Sequence, residues 1–165
     1  MAQTHLTELS EEEKKEFTLM IFDDGKPLNK YFNSNTEGYP EEIIIGNEKS
    51  EARVVFARNS IESDKETIGR SAIELEEAGK KWMTAKQRMI AGQYIKDKDR
   101  EIMDDEFKTI LPGSQIYNDK MVPVISSRIY HTSIHTMQYD EGQVQRVSDV
   151  NVDDSDPKYG AREIK

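Results

Sequence analysis

The sequence predicts an α+β fold: a small antiparallel sheet with one long amphipathic helix and a second shorter helix, flanked by polar N- and C-terminal arms. Three observations carry this. Runs rich in β-branched and aromatic residues lie before residue 60 and again after residue 120. Between them, residues 64–95 place apolar side chains at helical spacing. Finally, Leu, Ile, Val and Phe number only 35 of 165 residues. That is close to the level of roughly one fifth at which chains stop folding, so a modest core with solvated ends is expected.

The domain boundaries follow from charge. The net charge is −9. Residues 1–16 carry five acids and two bases, and residues 139–165 carry seven and four. Residues 1–16 are therefore read as a polar N-terminal arm, 17–138 as a single α+β domain, and 139–165 as an acidic C-terminal strand and tail. The middle, 64–111, is nearly balanced, with eleven acids and ten bases. A broad phosphate-binding surface needs clustered cations, so this balance argues against nucleic acid. No cysteine is present, which excludes thiolate chemistry and fits a reducing compartment. The first residues lack a basic stretch followed by an apolar one, and no apolar run approaches 18 residues. The expected location is the cytoplasm, or a particle assembled there, with no membrane partner.

Taken in order, Ser10 and Glu13 form a capping box ahead of a short charged helix at 11–16. FTLMIF then reads as a strand, and Asp24-Gly25 signals a hairpin into residues 26–32. Residues 42–46 and 52–58 read as two further strands. Ser63 and Glu66 make a second capping box before the long helix, whose stripe runs through Ile68, Ala72, Leu75, Gly79, Trp82, Met83, Met89 and Ile90. Lys86 interrupts it; its stem is expected to pack while its ammonium reaches water. Ile102, Met103, Phe107, Ile110 and Leu111 suggest a second helix, ended by Pro112-Gly113. Residues 121–138 and 143–152 are strand-like, with Pro123 marking an edge or a strand start.

Four groups of residues could carry chemistry. His131 and His135 would lie within about 6 Å on a helix, close enough to share zinc. Their neighbours Ile129, Thr132, Ile134 and Thr136 favour a strand, where the spacing becomes about 13 Å. The two His-x-Thr-like triplets resemble the motifs of the 2H phosphoesterases, and that resemblance implies a small hydrolase centred on His131 and His135. In that family the motifs lie far apart in the chain on facing strands; here they are adjacent, and only His131-Thr132-Ser133 fits His-x-Ser. Asp149, Asn151 and Asp153 match the first three ligands of a calcium loop. Asp154 occupies the place of the turn glycine, and Gly160 that of the bidentate glutamate.

Gly46 to Ser50 lacks the glycine spacing of a phosphate loop. Lys80, Lys81, Lys86 and Arg88 surround Trp82 as a single-strand nucleic-acid platform would. Pairs Glu76–Lys80 and Glu77–Lys81, each worth about 0.2–0.5 kcal/mol on a helix, account for the same charges.

With no metal or cofactor signature, the expected function is a non-enzymatic structural or protein-interaction subunit of a larger assembly, such as a viral or phage particle or an accessory protein. Leu75, Trp82 and Met89 are the expected partner-binding residues, and a second copy pairing antiparallel along helix 64–95 is the expected partner. The alternative is an acidic inhibitor or nucleic-acid mimic that covers a basic surface of another protein.

Overall fold

Strand β1 (Leu19–Asp23) alternates inward and outward along LMIFD, burying Leu19, Ile21 and Asp23 and exposing Met20 and Phe22. The computed structural model that shows this describes residues 9–31, 36–37, 43–45, 49–99, 103, 108–118, 120–130, 143–149, 153 and 155–165. The chain order is α1 (Glu11–Glu16), β1, β2 (Thr36–Glu37), β3 (Ile43–Ile45), β4 (Arg53–Ala57), α2 (Ala72–Glu77), α3 (Ala85–Asp99), β5 (Lys108–Asn118), β6 (Lys120–Tyr130), β7 (Gln143–Asp149) and β8 (Tyr159–Gly160). Strands β1 and β4 form a two-stranded antiparallel sheet. A second sheet runs β2-β7-β6-β5-β3, with β8 beside β5. Its long members β5, β6 and β7 are antiparallel, while the short β2 and β8 join parallel. The α+β class is as the sequence predicts, with α3 the one long helix among the described residues.

Turn chemistry places β1 differently from the expected hairpin. Gly25 does adopt a left-handed φ of 77°, but the chain then enters a 3-10 turn at Leu28–Lys30, and the partner of β1 is β4. The Gly25 carbonyl accepts the Ser50 N–H at 2.9 Å, which brings the distant β4 alongside. Bonds from Lys26 and Tyr31 to Asp24 hold its carboxyl down to about 2 and fix the turn.

The stripe at 64–95 is not one helix. Ser63 does not cap anything; its hydroxyl pairs with Thr109 at 2.9 Å, and only a 3-10 turn (Lys65–Thr67) follows. The working capping boxes are Ser71–Glu74 at α2 and Thr84–Gln87 at α3. In the latter the Thr84 hydroxyl accepts the Gln87 N–H at 3.2 Å and the Gln87 side chain accepts the Thr84 N–H at 3.1 Å. Between them Gly79 turns left-handed at φ 64° and ends α2. Residues 81–83 are extended, bonded through Lys81 and Met83 to the C-terminal segment. Both helical periods are present, but a glycine and a second cap split them.

The expected second helix is strand β5 over Ile110 and Leu111. Pro112-Gly113 does not end an element; it forms a bulge between the pairs Leu111↔Val124 and Gln115↔Pro123. Pro123 lies inside β6, opposite Gln115 at the end of that bulge, and is neither at a sheet edge nor at the strand start. A Cβ at Gly113 would lie 2.7 Å from the Trp82 carbonyl, so the bulge and the 81–83 segment touch directly. Ser114, on the same bulge, accepts the Ala85 N–H at 2.8 Å and supports the start of α3.

Apolar side chains divide into small clusters. Leu19, Ile21, Leu28, Val55, Met83, Ile95, Met103, Leu111 and Ile164 make the largest. Ala72, Leu75, Trp82, Ile110 and Ala161 make a second, and Leu9, Phe17 and Phe56 a third. Residues 155–165 do not project as a tail. Ala161 and Ile164 each enter a different cluster, and Arg162 and Glu163 are buried between them.

Two glycines in left-handed turns separate conformational strain from collision. At Gly25 an added Cβ would lie 2.2 Å from the Ser50 carbonyl oxygen, whereas at Gly79 nothing lies within 4 Å. Gly79→Ala should cost about 1 kcal/mol from the left-handed backbone alone. Gly25→Ala should cost about 3 kcal/mol or more. Urea unfolding of the two variants checks this, and equal costs would contradict the Gly25–Ser50 contact.

Candidate functional site

Two sets of buried charges are the places where chemistry could reside. The first joins β1 to α3. Asp23 and Lys86 are both buried and pair at 2.9 Å through Oδ1 and Nζ. Asp23 Oδ1 also accepts the Gly25 N–H at 3.0 Å, and Lys86 Nζ donates to the Lys26 carbonyl at 2.9 Å. Gln87 approaches Asp23 at 3.5 Å, and Arg53 at 3.7 Å. The Lys86 ammonium is thus consumed inside the fold instead of reaching water. A lysine acting as a nucleophile needs a free, reachable amine. Lys86 is neither.

The second set fastens the C-terminal segment. Asp64 Oδ2 accepts the Glu163 N–H and an Arg58 guanidinium N–H, each at 2.7 Å, while the Asp64 N–H donates to the Ala161 carbonyl at 2.9 Å. Burial pushes the Asp64 carboxyl up, against the opposing effect of those two donors. Glu163 bonds Lys80 and Lys165 at 2.8 Å each. Burial acts to raise its carboxyl as well, but the Lys165 and Lys80 contacts together hold it below the ordinary 4.5.

Around this pair, Arg58 reaches Glu16 at 2.5 Å and Glu66 at 3.0 Å, and its guanidinium lies 4.5 Å from the Phe17 ring centre. Arg162 donates to the Ser60 and Ile61 carbonyls at 2.7 Å each. Thr67 accepts the Ala161 N–H at 2.8 Å. Each of the buried carboxylates Asp64 and Glu163 is matched by cations or amides of the fold, and the arrangement fastens the C-terminal segment.

The residues singled out by sequence fare differently. His131, His135 and Asn151 lie outside the described residues. Asp149 ends β7, opposite Val124, and Asp153 is exposed in a turn. Among the described residues no group of three or more His, Asp or Glu could hold a metal ion.

Leu75 and Trp82 are not available to a partner. Both are buried in the chain's own second cluster, with the Trp82 indole N–H donating to the Leu75 carbonyl at 3.0 Å. Met89 is half-buried against the first cluster. Antiparallel pairing of a 64–95 helix fails with them, because that helix is broken at Gly79 and resumes only at Ala85. The basic platform dissolves too: Lys80 turns to Glu163, Lys86 to Asp23, and Arg88 to the Met103 carbonyl at 3.1 Å. No helix among the described residues is long and apolar enough to cross a membrane.

The feature that sequence reasoning missed is the outer face of β1. Met20 is 56% exposed and Phe22 58%, although both belong to a strand whose other face is core. Their cross-strand partners are Phe56 and Val54. Leu9 and Phe17 cover Phe56 and part of Val54, but not Met20 or Phe22. The signal was the uninterrupted run LMIF, in which an amphipathic strand would carry polar residues at the second and fourth places. No family model, curated protein or solved structure matches this chain.

Lys86→Met should destabilise the fold by about 3–5 kcal/mol, because Asp23 is left charged and buried. Asp23→Asn combined with Lys86→Met should recover a large part of that loss, and chemical unfolding of the three variants measures it. If the double variant is as unstable as Lys86→Met, the pair is not the cause.

The C-terminal contacts also set a pH window. Glu163, lowered in the fold, contributes stability above 4.5 that is lost as pH falls through its folded value. Lys165, raised by its bond to Glu163, contributes stability below 10.5 that is lost as pH rises through its folded value. Asp64, raised above 3.8, has the opposite sign to Glu163 and reduces stability as pH rises through its folded value. Glu163→Gln should therefore flatten both limbs of a plot of Tm against pH. Asp64→Asn should steepen the acid limb.

Proposed function

We propose that this protein is a non-enzymatic interaction subunit of a larger assembly, joined to its neighbours through the outer face of β1. The supporting observation is the contrast between the two faces of one strand. The inner face is fixed by the Asp23–Lys86 pair and the first cluster, and the outer face exposes Met20 and Phe22 side by side. Large apolar side chains exposed together, beside a covered patch, are the usual mark of a contact surface. The charged groups of the described fold support the same reading, since the buried ones are bonded to each other or to the backbone.

The test is photo-crosslinking in the cells that make the protein, with benzoylphenylalanine in place of Phe22 and, as a control, of the exposed Glu77. A discrete adduct heavier than 19.0 kDa is expected from position 22 and none from position 77. The absence of any adduct at position 22 rejects this reading.

A further inference from the structure

We infer that the open edge of β1 is completed by β1 of a second copy of this chain, the two strands running antiparallel about a two-fold axis at Ile21. This rests on the interaction reading and names the partner.

The backbone of β4 reveals which way β1 faces. Phe56 donates its N–H to the Lys165 carbonyl and accepts the Lys165 N–H, each at 3.0 Å. Both of its main-chain groups therefore point away from β1. Met20 is the register partner of Phe56. In an antiparallel ladder such a pair does not exchange hydrogen bonds, so the N–H and C=O of Met20 point out of the sheet on the far side. Phe22, two residues on, shares that direction. The two residues with exposed side chains thus also present the free main-chain groups of the edge, and among the described residues no strand lies across it. Edges of this kind attract another strand unless a charge, a proline or a bulge blunts them. Leu19–Asp23 has no proline and no bulge, and its one charged side chain, Asp23, is turned inward.

A second copy suits this edge through its register. With the axis at Ile21, Met20 stands opposite Phe22 of the copy and Phe22 opposite its Met20. Each such pair consists of residues whose main-chain groups face outward, so both exchange hydrogen bonds. The same register sets each thioether beside an aromatic ring on the exposed face. The product is a continuous four-stranded sheet, β4-β1-β1-β4.

Sedimentation of the full chain across a wide concentration range, with Phe22→Lys and Met20→Pro, tests this alongside the crosslinking above. Proline at position 20 removes only an outward N–H, so β1–β4 pairing survives while strand addition does not. The expected result is a reversible dimer of the 19.0 kDa chain. Either folded variant should weaken it at least about tenfold, equivalent to 1.4 kcal/mol, with a position-22 adduct at twice the monomer mass. A dimer that both variants leave intact overturns pairing through β1. A monomer whose position-22 adduct contains a different protein overturns self-pairing and leaves the interaction reading standing. A monomer with no adduct overturns both.

Discussion

The five residues Ala161 to Lys165 fasten this fold together, and Asp64 is what fastens them. Their main chain bonds Asp64, Met83 and Phe56 in turn, so the last segment runs between the 81–83 stretch and the edge of β4. Ala161 enters one apolar cluster and Ile164 the other. Arg162 and Glu163 lie between, and their burial is tolerable only because every charge meets a partner. A buried ion left alone costs several kcal/mol, while one with a cation and backbone amides roughly balances its desolvation. Asp64 supplies one acceptor oxygen to both the Glu163 N–H and Arg58, and its backbone N–H holds Ala161.

That dependence on polar matching follows from composition. With 35 Leu, Ile, Val and Phe residues in 165, the apolar side chains among the described residues gather into three small clusters where a richer sequence would form one. Between such clusters the structure uses hydroxyls and charges: Ser63 with Thr109, Thr67 with Ala161, Arg162 with Ser60 and Ile61. Matched groups of this kind specify one arrangement, because any shift leaves several of them buried and unbonded. Asp64 and Asp23 are held in this way by donors of the fold itself.

How much of this was legible depended on how local the cause was. The Ser10–Glu13 cap, β1, β3, β4, β6 and β7 could be read from the sequence because each follows from its own few residues. The break at Gly79 could not, because Leu75 and Trp82 keep helical spacing across a gap that is not helical. The glycine alone permits the turn; the bonds from Met83 and Lys81 to residues 162 and 164 enforce it. Ile110 and Leu111 mislead for a related reason: with Met103 and Phe107 they fit a helix, and their pairing to Ile125 and Val124 decides otherwise. Sequence also hides the destination of the tail. Ala161-Arg-Glu-Ile-Lys165 looks polar, yet Arg162 and Glu163 are buried because their partners, Asp64, Lys80 and Ser60, lie far away in the chain.

The position of Lys86 links the interior to the exposed face. Along a strand the side-chain period is two, so a slip of β1 by one residue would turn Met20 and Phe22 inward and satisfy the apolar core quite well. It would also carry Asp23 out to solvent and leave Lys86 buried without its carboxylate. Leu19 and Ile21 would be exposed in exchange, so the slip changes apolar burial little, and the stranded ammonium decides against it. Hydrophobic burial alone thus leaves the choice of face nearly degenerate in LMIF, and the ion pair resolves it. A polar residue placed inside the fold fixes which apolar residues remain outside it.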